Sequence, residues 1–431
     1  MRAGNRRPEH DPGTQTQGRK CAAFLVASAR SGRTETTLTA PGGDDPARFV
    51  ARRIQAVPAS GIRKFFDLLS TIEDVISLGI GEPDYVTPTP IRMAAVNSIE
   101  RGDTHYTSNY GLPELREKLS DHLFRLYGVR YDPKTEIVIT SGSSEALDIA
   151  LRALVDPGDE VLCADPSYVA YLPATVMAGG CFKPVATYAA NDFRLVPGDL
   201  EAAITERSRV LLLGYPANPT GATMGREDLL ALGEVAAKHD LAVISDELYD
   251  RLTYDGMHTS FASLPGQKGR TVLIGGFSKA YAMTGWRLGW VCAPAPLAEA
   301  LMKVHQYVMM SAPTAAQYAG VAALDHGEAF IAEMKAEYDR RRRLIVDGLN
   351  AIGLPTFEPR GAFYAFPDIT ATGMDSVTFS ERLLQDERVA VVPGNAFGAS
   401  GEGYVRACYA SSYEQIERAL ERMGRFVMRY R

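Results

Sequence analysis

Paired cysteines, an excess of basic charge, long apolar runs and internal repeats are all missing from this sequence. The five cysteines, Cys21, Cys163, Cys181, Cys292 and Cys408, are scattered, odd in number and free of CxxC spacing. That pattern excludes a paired-cysteine zinc site and reads as a reduced, cytoplasmic chain without a disulfide framework. Acidic residues (52) outnumber Lys and Arg (46), for a formal net charge of −6. No nucleic-acid footprint or acidic-membrane partner follows from such a balance. No apolar run approaches the ~18 residues needed to span a bilayer.

What is present suits a soluble globular protein. The 431 residues, 46% hydrophobic and 23% charged, are enough for two domains with a core of ordinary size. Residues 1–45 differ from the rest: rich in Gly, Arg, Thr and Pro, with one short apolar patch at Cys21–Val26. They read as a disordered extension or an upstream-misplaced start rather than a signal peptide. A basic targeting arm is weakened by Glu9, Asp11 and Glu35.

From Val138 to about Leu301 short apolar runs alternate with helical patterns. Strands are expected at 136–140, 160–163, 209–213, 241–245 and 271–274, with helices at 145–154, after Tyr168, and at 227–239. Apolar strands without polar alternation are buried on both faces, which implies a mostly parallel sheet between helices. Ligands of such sheets sit at the carboxyl ends of the strands. The last hundred residues combine a long helix, 330–348, with short strands at 361–366, 389–393 and 404–409, as in a smaller α+β domain. The run Arg340-Arg341-Arg342-Arg343 on that helix reads as a solvated face.

Residues suited to chemistry follow the strands. Lys279 and Arg287 lie in Gly275–Gly289, just past the 271–274 run. A fixed lysine amine beside a phosphate-binding arginine suits an enzyme of pyridoxal phosphate (PLP). Ser143 and Ser144 in Thr140-Ser141-Gly142-Ser143-Ser144 can cradle a phosphate at a helix start, or simply cap the helix. Asn218 is held as a donor in the turn Tyr215–Gly221. Asp246 ends a buried strand and needs a cationic partner such as a pyridinium nitrogen, with Tyr249 three residues on; an N-cap aspartate and a core tyrosine are the structural alternative. Arg406, on a short strand, fits a substrate α-carboxylate or a structural salt bridge.

In this order, Ser77–Asp84, His105-Tyr106-Thr107, Gly111–Arg116, Asn218–Gly221, Asp246–Tyr249, the lysine segment, Gly361–Tyr364 and Val392-Pro393-Gly394 resemble the class I/II aminotransferases. The resemblance is to the PLP fold-type I superfamily, in its prokaryotic aspartate/aromatic branch, and runs from about Ile54 to the C-terminus. It implies an α/β fold: a large domain with a mostly parallel seven-stranded sheet between helices, plus a smaller α+β domain. The domains would be 91–329 (large) and 46–90 with 330–431 (small). It implies Lys279 as the Schiff-base lysine and proton shuttle, and Asp246 as partner of the pyridine nitrogen. Asn218 and Tyr249 would donate to the ring oxygen, and Tyr168 would stack on the ring. Ser143, Ser144, Ser278 and Arg287 would form the phosphate cup. Tyr106 would reach the phosphate of a neighbouring subunit, hence a homodimer with shared sites. Arg406 would clamp the α-carboxylate, with Gly81 backbone nearby, and Ile62-Arg63-Lys64 would join a closing movement of the small domain.

Two departures stand out. Tyr168 replaces a tryptophan found in many aspartate-specific members, and Gly276 stands where many carry a phosphate-binding serine. The expected reaction is ping-pong transfer of an amino group from an aromatic, aspartate or similar L-amino acid to a 2-oxo acid, 2-oxoglutarate in most relatives. An N-acyl-diaminopimelate aminotransferase and a carbon–sulfur lyase on the same scaffold remain open. A PLP-sensing regulator would need a DNA-binding domain for which residues 1–45 leave no room.

Overall fold

The computed structural model describes residues 46–57 and 73–430. The expected disordered extension and Ile62-Arg63-Lys64 lie outside the described residues.

Seven strands form the central sheet: β2 (Ile137–Thr140), β3 (Glu160–Asp165), β4 (Cys181–Ala186), β5 (Ser208–Gly214), β6 (Ala242–Asp246), β7 (Thr271–Gly276) and β8 (Gly289–Cys292). Their order is β2-β8-β7-β6-β5-β3-β4, and β8 runs antiparallel to both of its neighbours while the rest are parallel. Among the described residues, the helices of eight or more residues are α1 (Thr89–Glu100), α2 (Pro113–Tyr127), α3 (Ser143–Leu154), α4 (Tyr171–Ala178), α5 (Arg226–Lys238), α6 (Ala295–Val308), α7 (Thr314–His326), α8 (Glu328–Ala351), α9 (Ser376–Glu387) and α10 (Tyr413–Tyr430).

Both faces of the sheet are apolar because alternate strand residues serve different helices. Leu211, Leu213 and Val243 pack with Leu229, Leu232 and Ala236 of α5. Val210, Leu212 and Ile244 pack on the other face with Ala146, Ile149 and Ala150 of α3. Each such side chain contributes about 2 kcal/mol of burial, which is why the strands carry no polar alternation.

The smaller α+β part has its own core, with Tyr338, Phe363, Phe379 and Phe426 among its buried rings. Its strands are β1 (Ile76–Ser77) paired in parallel with β10 (Val389–Ala390), and β11 (Val392–Pro393), β12 (Val405–Cys408) and β9 (Tyr364–Ala365) in antiparallel order β11-β12-β9. The strand expected at 361–366 is thus only two residues long, and the one at 389–393 is split between two sheets.

Two expectations need correction. The Arg340–Arg343 run is not one solvated face. Arg340 and Arg343 are exposed, but Arg341 is buried against Asp84 and Glu337, and Arg342 against Asp339 and Glu358. Consecutive residues stand about 100° apart around a helix, so a run of four points to all sides and cannot form one outward face. Cys163, Cys292 and Cys408 are buried thiols, whereas Cys181 is disulfide-bonded. Cys181 opens edge strand β4 and is only half-buried, so the sheet does not enclose its sulfur.

Candidate active site

The carboxyl ends of β2, β3, β5, β6 and β7 converge on one cavity of about 690 Å³. Asp246 is the last residue of β6. It is half-buried at the cavity wall, its Oδ2 accepts from the Tyr171 hydroxyl at 3.0 Å, and its Oδ1 accepts from the Leu248 N–H at 3.2 Å. Burial raises its pKa to about 6 against those two hydrogen bonds. No cation pairs with it among the described residues, so a ligand cation would add to the stabilisation that those two hydrogen bonds give the carboxylate.

Lys279 follows β7 after Phe277 and Ser278. Its Nζ donates to the Gly81 carbonyl at 2.6 Å. Burial lowers its pKa to about 8, with Arg406 and Arg287 adding to the effect and Cys408 and Glu82 opposing it. A lysine amine so displaced is available as a nucleophile and base near neutral pH.

Arg406 on β12 is 4% exposed. Its Nη1 donates to Asn218 Oδ1 at 2.9 Å and its Nη2 to the Gly79 carbonyl at 2.7 Å. The guanidinium lies over the rings of Tyr364 (4.5 Å) and Phe397 (4.9 Å). It has no carboxylate partner among the described residues, so the structural salt bridge is not formed there and a buried cation faces the cavity. Because guanidinium only donates, Asn218 presents Oδ1 to it and keeps its amide N–H groups for a ligand oxygen.

The turn after β2 forms a cradle. Gly142, φ +80°, precedes α3, and neither it nor Ser143 supplies a side-chain cap. A Cβ at Gly142 would lie 2.6 Å from Arg287 Nη2, so the guanidinium passes directly over the turn. A Cβ at Gly289 would lie 2.5 Å from Ser143 N, which fixes β8 against the same turn. Free N–H groups at the start of a twelve-residue helix, two serines and an arginine make an anion site. Ser278 lines the same cavity.

Of the residues singled out from sequence, Gly81, Ser143, Ser144, Tyr168, Asn218, Asp246, Tyr249, Ser278, Lys279, Arg287 and Arg406 all line this cavity. Tyr106 does not: it is 80% exposed, on a segment where Thr314 holds the His105 carbonyl and Gln317 holds Thr107. Two residues escaped sequence reasoning. Tyr171 holds Asp246, and the spacing Tyr168-x-x-Tyr171 at the start of α4 was the available signal. Tyr364, inside the 361–364 motif, shares a 2.7 Å hydrogen bond with Tyr249 and underlies Arg406.

These features fit PLP. A carboxylate without a cation partner suits a pyridinium, an anion cradle suits the phosphate, and a lysine of lowered pKa suits the aldehyde.

Comparison with known proteins agrees with this geometry. The family described as Aminotransferase class I and II matches residues 73–423. The putative aminotransferase YugH of Bacillus subtilis is 50% identical over 379 residues, covering 88% of this chain and 98% of the relative. The aspartate aminotransferase of Pyrococcus abyssi is 46% identical, covering 86% and 96%. The crystal structure of the aromatic aminotransferase of Pyrococcus horikoshii superposes with a TM-score of 0.81 at 46% identity, covering 85% of this chain and 99% of that one.

Proposed function

The chain belongs to the class I and II aminotransferases and is a PLP-dependent transaminase of amino acids; from that premise we propose aromatic L-amino acids as its preferred donors, aspartate as a weaker one, and 2-oxoglutarate as acceptor. The carrying observation is the set of cations on the cavity wall. Among the described lining residues they are Lys279, Arg287 and Arg406. The cofactor aldehyde, the phosphate and the α-carboxylate would engage one each, and none of these three is left for a side-chain carboxylate. Ile80, Met177 and Leu248 supply apolar wall instead. Relatives include both an aspartate and an aromatic enzyme.

Bound PLP supplies an electron-withdrawing ring that stabilises charge left at the substrate Cα. Asp246, ionised, would keep the ring nitrogen protonated. Asn218 and Tyr249 would donate to the ring oxygen, and Tyr168 would stack on the ring. Ser143, Ser144, Ser278 and Arg287 would hold the phosphate. Arg406 binds the α-carboxylate through paired N–H groups and so orients the Cα–H bond. Lys279 Nζ removes that proton and returns it one atom further on. We place the work in a homodimer in the cytoplasm, with Tyr106 completing the partner's phosphate site. The small domain, 46–90 with 330–431, closes on the large one, 91–329.

The test is kcat/KM for phenylalanine, tyrosine and aspartate with 2-oxoglutarate as acceptor. The aromatic donors are expected to exceed aspartate by about tenfold or more, the worth of an unpaired carboxylate in an apolar pocket. A preference for aspartate would overturn the donor assignment and require a cation from another segment or subunit.

A further inference from the structure

The phosphate cradle is backed by a buried pair that the mechanism does not use. Glu145 stands in the first turn of α3, where its Oε2 accepts the Ser141 N–H and its Oε1 lies 2.6 Å from His305 Nδ1. His305 belongs to α6 and its side chain is fully buried, while that of Glu145 is 7% exposed. His305 Nε2 finds no hydrogen-bond partner among the described residues. A buried imidazole with one satisfied nitrogen is costly, and its single polar contact goes to Glu145.

A carboxylate in the first turn of a helix is a competitor for the N–H groups that would hold a phosphate. Here it is turned away: one oxygen is tied to the backbone just before Gly142 and the other to α6. The same contacts fix the Ser141-Gly142-Ser143 turn, over which Arg287 passes. We propose that Glu145 and His305 are positioning residues for the phosphate grip, holding this turn in its anion-binding shape from behind. The inference rests on the placement of the PLP phosphate at this turn.

The experiment titrates the cofactor-free protein with PLP and with pyridoxal, which lacks the phosphate, following cofactor absorbance. For the wild type, PLP is expected to bind far more tightly than pyridoxal; equal affinities would overturn the phosphate placement itself. Glu145→Ala and His305→Ala are each expected to weaken PLP by about tenfold and pyridoxal by less than about twofold. The double variant should be no weaker than about the worse single one, because the two act as a unit. Equal weakening of both ligands, additive losses, or no change would overturn the inference while leaving the phosphate placement standing. Glu145→Gln and His305→Gln guard against misfolding. Each preserves volume and a hydrogen bond, and is expected to lose about threefold or less; a loss as large as the alanine variants' would also overturn it.

Discussion

Lys279 and Asp246 are displaced in opposite directions by one cause. Burial disfavours charge, so the lysine falls to about 8 and the aspartate rises to about 6. Only the free amine can attack the cofactor aldehyde. The rate at which the cofactor-free protein captures PLP is therefore predicted to rise about tenfold per pH unit below pH 8 and to level off above it. A stopped-flow rate still climbing toward pH 10, as for an unburied lysine, would contradict this. Tyr171 donates to Asp246 and so favours its ionised form. Tyr171→Phe removes that donation and pushes the Asp246 pKa higher. The acid limb of kcat/KM is predicted to move to higher pH, with a loss of about tenfold near pH 6. An unshifted limb would show that the hydroxyl does not tune the carboxylate. The residues with a chemical identity that only one role fits, such as Lys279, Asp246 and Arg406, were legible in sequence. Tyr171 and Tyr364 were not, because a tyrosine is equally at home in a core, and only the fold shows where its hydroxyl goes.

The junction of β2 and α3 depends on Gly142 twice, for its positive φ and for the room it leaves Arg287. Gly142→Ala is predicted to weaken PLP by about tenfold or more, measured as above, since both backbone and guanidinium must shift. Helix α8 makes a second case. Arg342→Ala leaves Asp339 with only the exposed Arg343 and removes the donor to Glu358 and the buried Pro359 carbonyl, and is predicted to cost about 2 kcal/mol, less than a fully buried pair because Glu358 is exposed and Asp339 keeps a partner. Arg343→Ala should leave the melting temperature unchanged, and equal losses in both would contradict the inward turn of the run. Central strands were legible because burial on both faces leaves an unbroken apolar run. β4 was not: it is an edge strand carrying Lys183 and Pro184, half-exposed for most of its length. β8, Gly-Trp-Val-Cys, is too short to show a period, and its reversed direction is a matter of topology rather than composition.

At the scale of the molecule, eleven cavity residues separated by hundreds of positions meet because a parallel sheet brings its strand ends to one edge, while Arg406 and Gly81 come from the smaller part. The mostly parallel sheet was readable from the apolar runs along the chain; the return of β1 to pair with β10 was not, since a two-residue strand leaves no periodic trace. Tyr106 projects outward, so its assigned role needs a second subunit. Mixed dimers of Tyr106→Ala and Lys279→Ala subunits are predicted to regain one intact site, carrying Lys279 from one chain and Tyr106 from the other. Activity no higher than that of the Tyr106→Ala homodimer would place Tyr106 outside the partner's site. The most direct test of the whole account adds single amino acids to the PLP-loaded enzyme without any oxo acid. Phenylalanine or tyrosine is predicted to yield about one oxo acid per subunit and then stop, with loss of the cofactor's visible band, until 2-oxoglutarate restores it. Continuous release of ammonia and oxo acid without an acceptor, or no release from any donor, would contradict it.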